Sequence, residues 1–202
     1  MNTVRLYLVR HGAVAARDRF YGHLDLELSD EGRRQIEQAA EALAGLDLTA
    51  VHSSDLSRAA ESARIIAARH GLEPRPDPAF REMHLGVLEG VPFAEARERH
   101  PELHRKRYKD MWSYRFPGGG ENLQDIADRC RPALRRIIDR GPGVRVLVAH
   151  NSVNRVVLAD ALGLTLDRAF DFAQDFGCVS CVEYAPDRTR VLLLNWTPAA
   201  FD

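Results

Sequence analysis

Val4-Arg5-Leu6-Tyr7-Leu8-Val9, followed at once by Arg10-His11-Gly12, decides how this chain is read. The apolar run is short, β-branched and aromatic, and it stops at a glycine, which predicts a buried strand running into a loop rather than a helix. In open α/β sheets, ligands bind in the crevice beyond the carboxyl ends of the strands. A central strand here would therefore deliver Arg10 and His11, a fixed cation beside a histidine, to a binding crevice. A lone histidine after a strand is more often structural than chemical, so its meaning depends on partners elsewhere in the chain.

Outward from that strand the pattern alternates. Ser29-Asp30-Glu31-Gly32 opens a helix carrying Ile36, Ala39, Ala40 and Leu43, ended at Gly45. Thr49 to His52 reads as a short strand. Ser53-Ser54-Asp55 then supplies cap residues for a helix carrying Leu56, Ala59, Ala60, Ala63, Ile66 and Ala67. After Pro74 to Pro78 the pattern becomes mixed up to the breaker Pro117-Gly118-Gly119-Gly120, so residues 83–120 read as an insertion or lid. Glu121 to Arg140 is helical, with Pro132 expected to kink or restart it. Val144 to Ala149 is a second buried strand ending at a histidine, His150, and Ser152 is placed to cap the helix that follows. Cys178 to Tyr184 and Arg190 to Asn195 form a hairpin across Ala185-Pro186-Asp187-Arg188. These elements predict an α/β fold, a three-layer sandwich with a mostly parallel central sheet, helices on both faces and one antiparallel edge. At 202 residues the default is a single domain spanning 1–202.

Composition narrows the function. The chain has 28 Lys and Arg against 29 Asp and Glu, a net charge of −1. A nucleic-acid binder would carry a basic excess, so an anion site here must be local, which favours a small anionic ligand over nucleic acid. The N-terminal run is broken by Arg5 and Arg10 and lacks a basic start and a small-residue cleavage site; it reads as neither a signal peptide nor a membrane span. Three cysteines, Cys130, Cys178 and Cys181, are an odd and sparse set suited to a reducing compartment, so the expected location is the cytoplasm. Cys178 and Cys181 lie three apart in a strand and point to opposite faces, which disfavours shared metal or redox use.

Four places share one chemical logic. Arg10 and His11 follow the first strand, Arg58 sits in the first turns of a helix whose N-terminus adds amide donors, Glu82 is in a loop, and His150 follows a late strand. Guanidinium groups give planar, permanently charged recognition of phosphoryl oxygens. Neutral imidazole is a competent phosphoryl acceptor if its other nitrogen keeps the proton, and on this reading either His11 or His150 could serve. Glu82 is placed to protonate a leaving alkoxide. Taken singly, each of these residues is more often a solvated charge or a loop-stabilising histidine.

Their order and contexts resemble the histidine phosphatase superfamily, the phosphoglycerate-mutase-like family, over nearly the whole chain. The matching segments are Leu8 to Gly12; Arg19 to Asp25 with Leu28-Ser29; Ser53 to Ala59; Arg81-Glu82 with Gly86 and Glu89-Gly90; Gly119 to Asn122; and Val148-Ala149-His150. The resemblance implies a phosphoglycerate-mutase-like fold and a metal-independent phosphomonoesterase with no cofactor. It implies that His11 becomes phosphorylated, that Arg10, Arg58 and His150 hold the phosphoryl group, and that Glu82 acts as acid and then base. The chain departs from the family at Ala13 to Asp18, which lacks the asparagine that touches the phosphate in many members; Arg17, Tyr21-Gly22 or a backbone amide are the candidate substitutes.

Chain length favours a hydrolase over a phosphoglycerate mutase. A catalytically dead phosphate-binding regulator would be expected to lack one of the five key residues, and all five are present. Asp175 to Ser180 and the length resemble α-ribazole phosphatases and their broad-specificity relatives, so α-ribazole 5′-phosphate, sugar phosphates and phosphoglycerates are the candidate substrates. Phe93, Tyr108, Trp112, Tyr114 and Phe116 are candidates for an aromatic wall beside the leaving group, against packing of the insertion onto the core. Arg97 to Lys109, with Arg99, Arg105, Lys106 and Arg107, reads mainly as a solvated face. The apolar edge Val191 to Leu194 suits pairing with a second copy, giving a homodimer.

Overall fold

The computed structural model describes residues 3–103, 110 and 112–198. Its centre is a six-stranded sheet. The strands are β1 (Val4–Arg10), β2 (Leu48–Ser53), β3 (Arg75–Pro76), β4 (Gly143–Ala149), β5 (Val179–Ala185) and β6 (Arg188–Trp196), in the order β3-β2-β4-β1-β5-β6. The first three pairings from β3 to β1 are parallel, and β1/β5 and β5/β6 are antiparallel. Helices α1 (Asp30–Leu43) and α2 (Ser57–Ala68) cover one face, where Ile36, Leu43, Ala63 and Ile66 pack on Val9, Val146 and Val148. Helices α4 (Leu123–Ile138) and α5 (Asn151–Leu162) cover the other, where Leu123, Ile126, Val153 and Val157 pack on Leu6, Leu8 and Leu147. The expected three-layer sandwich is therefore present, and the strand that opened the reading is central. β1 and β4 lie side by side in register from Val4 and Gly143 to Arg10 and Ala149, so both histidine-bearing ends emerge together.

Helix ends differ from expectation in instructive ways. Ser29 caps α1 as expected, its side chain accepting from the Gly32 amide. Ser53-Ser54-Asp55 does not cap α2: both serines are fully buried, and Asp55 is drawn away into a bidentate pair with Arg81. Asp25, from a distant loop, takes the cap instead, accepting from the Ser57 amide (2.8 Å) and hydroxyl (2.7 Å). Pro132 does not break α4, which runs on because its apolar stripe from Leu123 to Ile137 is buried; Asn122 and Asp125 close a capping box at its start. Ser152 does not cap α5, whose preceding residue is His150 and has no side-chain cap bond.

Much of the 83–120 region is core. Leu88, Ala96, Leu103 and Phe116 are buried against the α4–α5 layer, with a short helix α3 (Phe93–Arg99) on the outside, where Arg99 pairs with Glu95. Tyr108, Arg105, Lys106, Arg107 and Lys109 lie outside the described residues. The loop after β1 is pressed onto α1: a Cβ on Gly12 would stand 2.1 Å from the Gly32 carbonyl oxygen, and one on Gly32 would stand 2.0 Å from that of Ala13. Only glycine permits this contact, which anchors the loop immediately after His11. At the far edge, Leu192, Leu194 and Trp196 of β6 are exposed on one face. Among the described residues no helix is long and apolar enough to cross a membrane.

The Asp25 cap predicts that Asp25→Ala lowers unfolding stability by about 1 kcal/mol in a urea titration. An unchanged midpoint would show that the contact contributes nothing to α2.

Candidate active site

At the carboxyl edge of the sheet the backbone of Arg10 and His11 is clamped between neighbours. The His11 amide donates to Ala149 O, the Arg10 amide to Cys178 O, and the Gly177 amide to the carbonyls of both residues. The imidazole of His11 then has little freedom. Its Nδ1 lies 2.7 Å from Gly12 O, and because a carbonyl only accepts, Nδ1 carries the proton and Nε2 is left with its lone pair. His11 lines a cavity of about 300 Å³ together with Arg10, Arg17, Tyr21, Glu82, Ser152 and Phe176.

Beside these lining residues lie Arg58 and His150, each 0 % exposed. The His150 ring centroid is 5.0 Å from that of His11, and neither of its nitrogens meets a partner. Arg58 donates to the carbonyls of Gly22 (2.6 Å) and Leu24 (3.0 Å), while its Nε meets none. Arg10 donates to Gln174 O and packs its guanidinium 3.8 Å from the Phe176 ring centroid; its Nε is likewise buried and unpartnered. No described carboxylate pairs with either arginine. Burial, then Arg58 and Arg10, hold His11 well below the ordinary histidine value, and burial with the same cations does so for His150. Both imidazoles are neutral near pH 7. This is a pocket with cationic walls and buried, unpartnered donors, with Glu82 as a lining carboxylate that pairs with neither arginine, an arrangement suited to a phosphoryl dianion.

Glu82 faces this floor from the loop after Phe80. Its carboxylate accepts from the Met83 amide (2.8 Å) and lies 3.3 and 3.4 Å from the Ser152 amide at the start of α5. The helix terminus at the site is thus that of α5, which meets Glu82, whereas the start of α2 beside Arg58 is satisfied by Asp25. Two carboxylates build the loops around Glu82. Glu121 grips Arg129 through both oxygens, and Arg129 donates to the carbonyls of Ala79 and Glu82. Glu89 accepts from the amides of Gly22, His23, Leu24 and Leu85. Burial pushes Glu89 up, but those four donors outweigh it and hold it below the usual carboxylate range.

The expected residues divide clearly. Arg10, His11, Arg17, Tyr21 and Glu82 line the cavity, and Arg58 and His150 are fully buried beside lining residues, Arg58 5.3 Å from the Tyr21 ring centroid and His150 5.0 Å from that of His11. Gly22 does not line it. A Cβ there would stand 1.9 Å from Met83 O, and the residue's part is to present its carbonyl to Arg58. Of the proposed aromatic wall only Phe93 reaches the cavity; Phe116 is core, Tyr114 packs on that core, Trp112 is 45 % exposed, and Tyr108 lies outside the described residues. Sequence reading missed Phe176, Asn151, Ser152, Arg19 and the two scaffolding carboxylates. Asn151 and Ser152 could have been found from their place just after a strand-terminal histidine, but Phe176 had no such signal. A larger cavity, about 770 Å³, opens between α4, Val4 and Tyr184, but its Arg131 is already held by Asp160 through two hydrogen bonds.

A family model described as histidine phosphatase superfamily (branch 1) matches residues 6–197, and the chain belongs to that superfamily. Among its relatives, phosphoglycerate mutase-like protein 4 of Arabidopsis thaliana is 43 % identical over 74 % of this chain and 67 % of its own. The glucosyl-3-phosphoglycerate phosphatase of Mycolicibacterium vanbaalenii is 36 % identical over 83 % and 78 %. A solved mycobacterial glucosyl-3-phosphoglycerate phosphatase in complex with VO3 superposes with a TM-score of 0.85 at 30 % identity, over 95 % of this chain and 98 % of that one. The α-ribazole phosphatase of Shigella flexneri has the same fold, with a TM-score of 0.86 at 23 % identity over 98 % and 99 %. The protein is an enzyme of the phosphatase class.

The buried histidines set a sign for acid stability. They are neutral when folded, whereas unfolded imidazoles take up protons below the ordinary value of 6.5, so acidification below that point favours the unfolded chain. In phosphate-free buffer Tm should fall as pH drops through this range, and His150→Gln should flatten part of that fall, His52 and His23 contributing shares in the same direction. A Tm–pH slope identical in the variant and the parent would contradict the assignment.

Proposed function

We propose that this protein is a metal-independent phosphomonoesterase that works through a phosphohistidine on His11. The observation that carries this reading is the fixed tautomer of His11, with Nδ1 held by Gly12 O and Nε2 free at the floor of a cationic cavity. Neither ring nitrogen of His150 has such an anchor, which favours His11 where the residues alone left two candidates open. Nε2 attacks phosphorus in line with the leaving oxygen; the P–O bond breaks as the N–P bond forms, and protonated Glu82 delivers its proton to the leaving oxygen. Water then attacks phosphorus, giving a proton to the Glu82 carboxylate, and the N–P electron pair returns to Nε2 as phosphate departs. Arg10, Arg58 and His150 bind the equatorial oxygens in both steps. These cationic and hydrogen-bonding groups take the charge-stabilising role a metal would otherwise have. Arg17 and Tyr21, which line the cavity, are our candidates for holding a further oxygen of the substrate.

The substrate is a small phosphorylated metabolite. Arg17 and Arg19 line the cavity, and a leaving group with a second anionic centre, such as a phosphoglycerate derivative rather than α-ribazole 5′-phosphate, would compete with Glu31 and Asp18 for them. The relatedness of the sequence to glucosyl-3-phosphoglycerate phosphatases supports a leaving group of that kind. We also place the enzyme in the cytoplasm, as a single domain with residues 83–120 as its insertion, and pair β6 with a second copy. A sedimentation experiment should show a dimer at micromolar concentration, and monomer alone would exclude that pairing.

His11→Ala should abolish both turnover and the protein-bound phosphoryl group seen by mass spectrometry after acid-free quenching. Glu82→Gln should retain the phosphoenzyme with p-nitrophenyl phosphate, whose leaving group needs little protonation, while losing roughly 100- to 10,000-fold of kcat on alkyl phosphates. A panel of phosphoglycerates, sugar phosphates and α-ribazole 5′-phosphate, ranked by kcat/KM and repeated in EDTA, tests substrate class and metal independence together. Full activity in His11→Ala would overturn the mechanism.

A further inference from the structure

Buried guanidinium groups with an unpartnered N–H mark the cavity floor, and among the described residues the same signature occurs once more, at Arg145. Arg145 is 4 % exposed; its Nη2 donates to Gly141 O (2.7 Å), while its Nη1 meets no partner and no described carboxylate pairs with it. Strand register places it in company. Arg75 of β3 pairs with His52 of β2, His52 pairs with Leu147, and Ala50 pairs with Arg145, so Arg75, His52 and Arg145 share one face of three adjacent strands. That is the face on which α4 packs, and Arg140, two residues beyond the end of α4, adds its charge at His52 and Arg145. His52 is 6 % exposed, and its Nε2 is another buried nitrogen without a partner.

The charges here are unbalanced. Arg75 and Arg140 both act on Arg145 and on His52, and the carboxylate that opposes them at His52, Asp77, is already engaged by Arg136 (3.3 Å) and by the Ala79 amide (2.9 Å). Burial first, and then these three arginines, push His52 down to about 4. Holding the carbonyl at the end of α4 accounts for one N–H of Arg145, yet a single lysine or arginine would suffice for that. It does not account for two further arginines and an orphaned histidine gathered without a counter-ion, a repulsive arrangement that an anion would relieve.

We propose that Arg75, Arg140 and Arg145, with His52, form a second, non-catalytic site for a phosphate-type dianion. It lies on the β3-β2-β4 side of the sheet, apart from the His11 cavity, and its existence does not depend on the mechanism proposed for that cavity. The dianion bridges Arg75 and Arg140 at the surface and reaches Nη1 of Arg145 below, while His52 takes up a proton from solvent as the negative charge arrives. The same chemistry fits free phosphate and the phosphate group of a metabolite.

The test uses the full chain and side-chain NMR of its histidines, titrated with pH in the absence and presence of millimolar inorganic phosphate. His52, assigned from a His52→Gln variant, should titrate near 4 without phosphate and at clearly higher pH with it. In Arg75→Ser/Arg140→Ser, both exchanges at the surface, the phosphate-induced shift should vanish, affinity at this site should drop roughly tenfold per arginine removed, and turnover of p-nitrophenyl phosphate should stay at the parental level. A His52 titration that phosphate does not move, or one that moves equally in the double variant, overturns the site. A sugar phosphate in place of inorganic phosphate separates the two ligand sources: a larger shift at equal concentration assigns the site to the metabolite, and an equal or smaller one to free phosphate.

Discussion

Arg58 is a permanently charged side chain removed from water with only two backbone carbonyls, of Gly22 and Leu24, to hold it. Burying an unpaired charge costs several kcal/mol; no described carboxylate pairs with it directly, and Glu82, Asp25 and Glu89 offset it only from a distance. The loop that supplies those carbonyls must therefore be rigid, and Glu89 makes it so by accepting from three consecutive amides at Gly22, His23 and Leu24 and from Leu85 across the gap. The same loop sends Asp25 to the start of α2, the helix that carries Arg58. The cation and its cradle thus stabilise each other's positions. Two buried donors remain unsatisfied, Nε of Arg58 and Nε of Arg10, and an anion entering the pocket would supply the charge they lack.

This arrangement also decides the state of the histidines. Two buried guanidinium groups beside two buried imidazoles make protonation of either ring unfavourable, and a neutral ring is what phosphoryl transfer to nitrogen requires. A dianion arriving in the pocket reverses the local field, so substrate binding and the protonation preferences of the site are linked. On the acid side the same economy of parts holds. Glu82 is not free in a loop: Arg129, clamped by Glu121, fixes its carbonyl, and the first turn of α5 faces its carboxylate. Substituting Arg129 or Glu121 would disturb Glu82 without touching the cavity.

The alternation of strands and helices, the central place of β1 and the strand-terminal histidines were legible because they depend on local periodicity and on short stretches of chain. Ser29 was legible as a cap for the same reason. Asp25 was not, since it lies 32 residues from the serine it caps and competes with Ser53-Ser54-Asp55, a better local match whose members are claimed by the core and by Arg81. The smooth passage of α4 through Pro132 is similar: the loss of one hydrogen bond is a local signal, and a buried stripe seven residues strong outweighs it.

The sequence by itself determined the fold class and, through its resemblance, the family, and it named Arg10, His11, Arg58, Glu82 and His150 as candidates, because these rest on residue identity in short stretches of chain. Only the tertiary structure decided which histidine has a fixed tautomer, that Arg58 and His150 are fully buried beside the residues lining the cavity, that Gly22 serves Arg58, and that Phe176 packs on Arg10. Each of these is a contact between segments far apart in the chain, set by how two layers of helices close on one sheet, and no spacing along the chain encodes the distance across it.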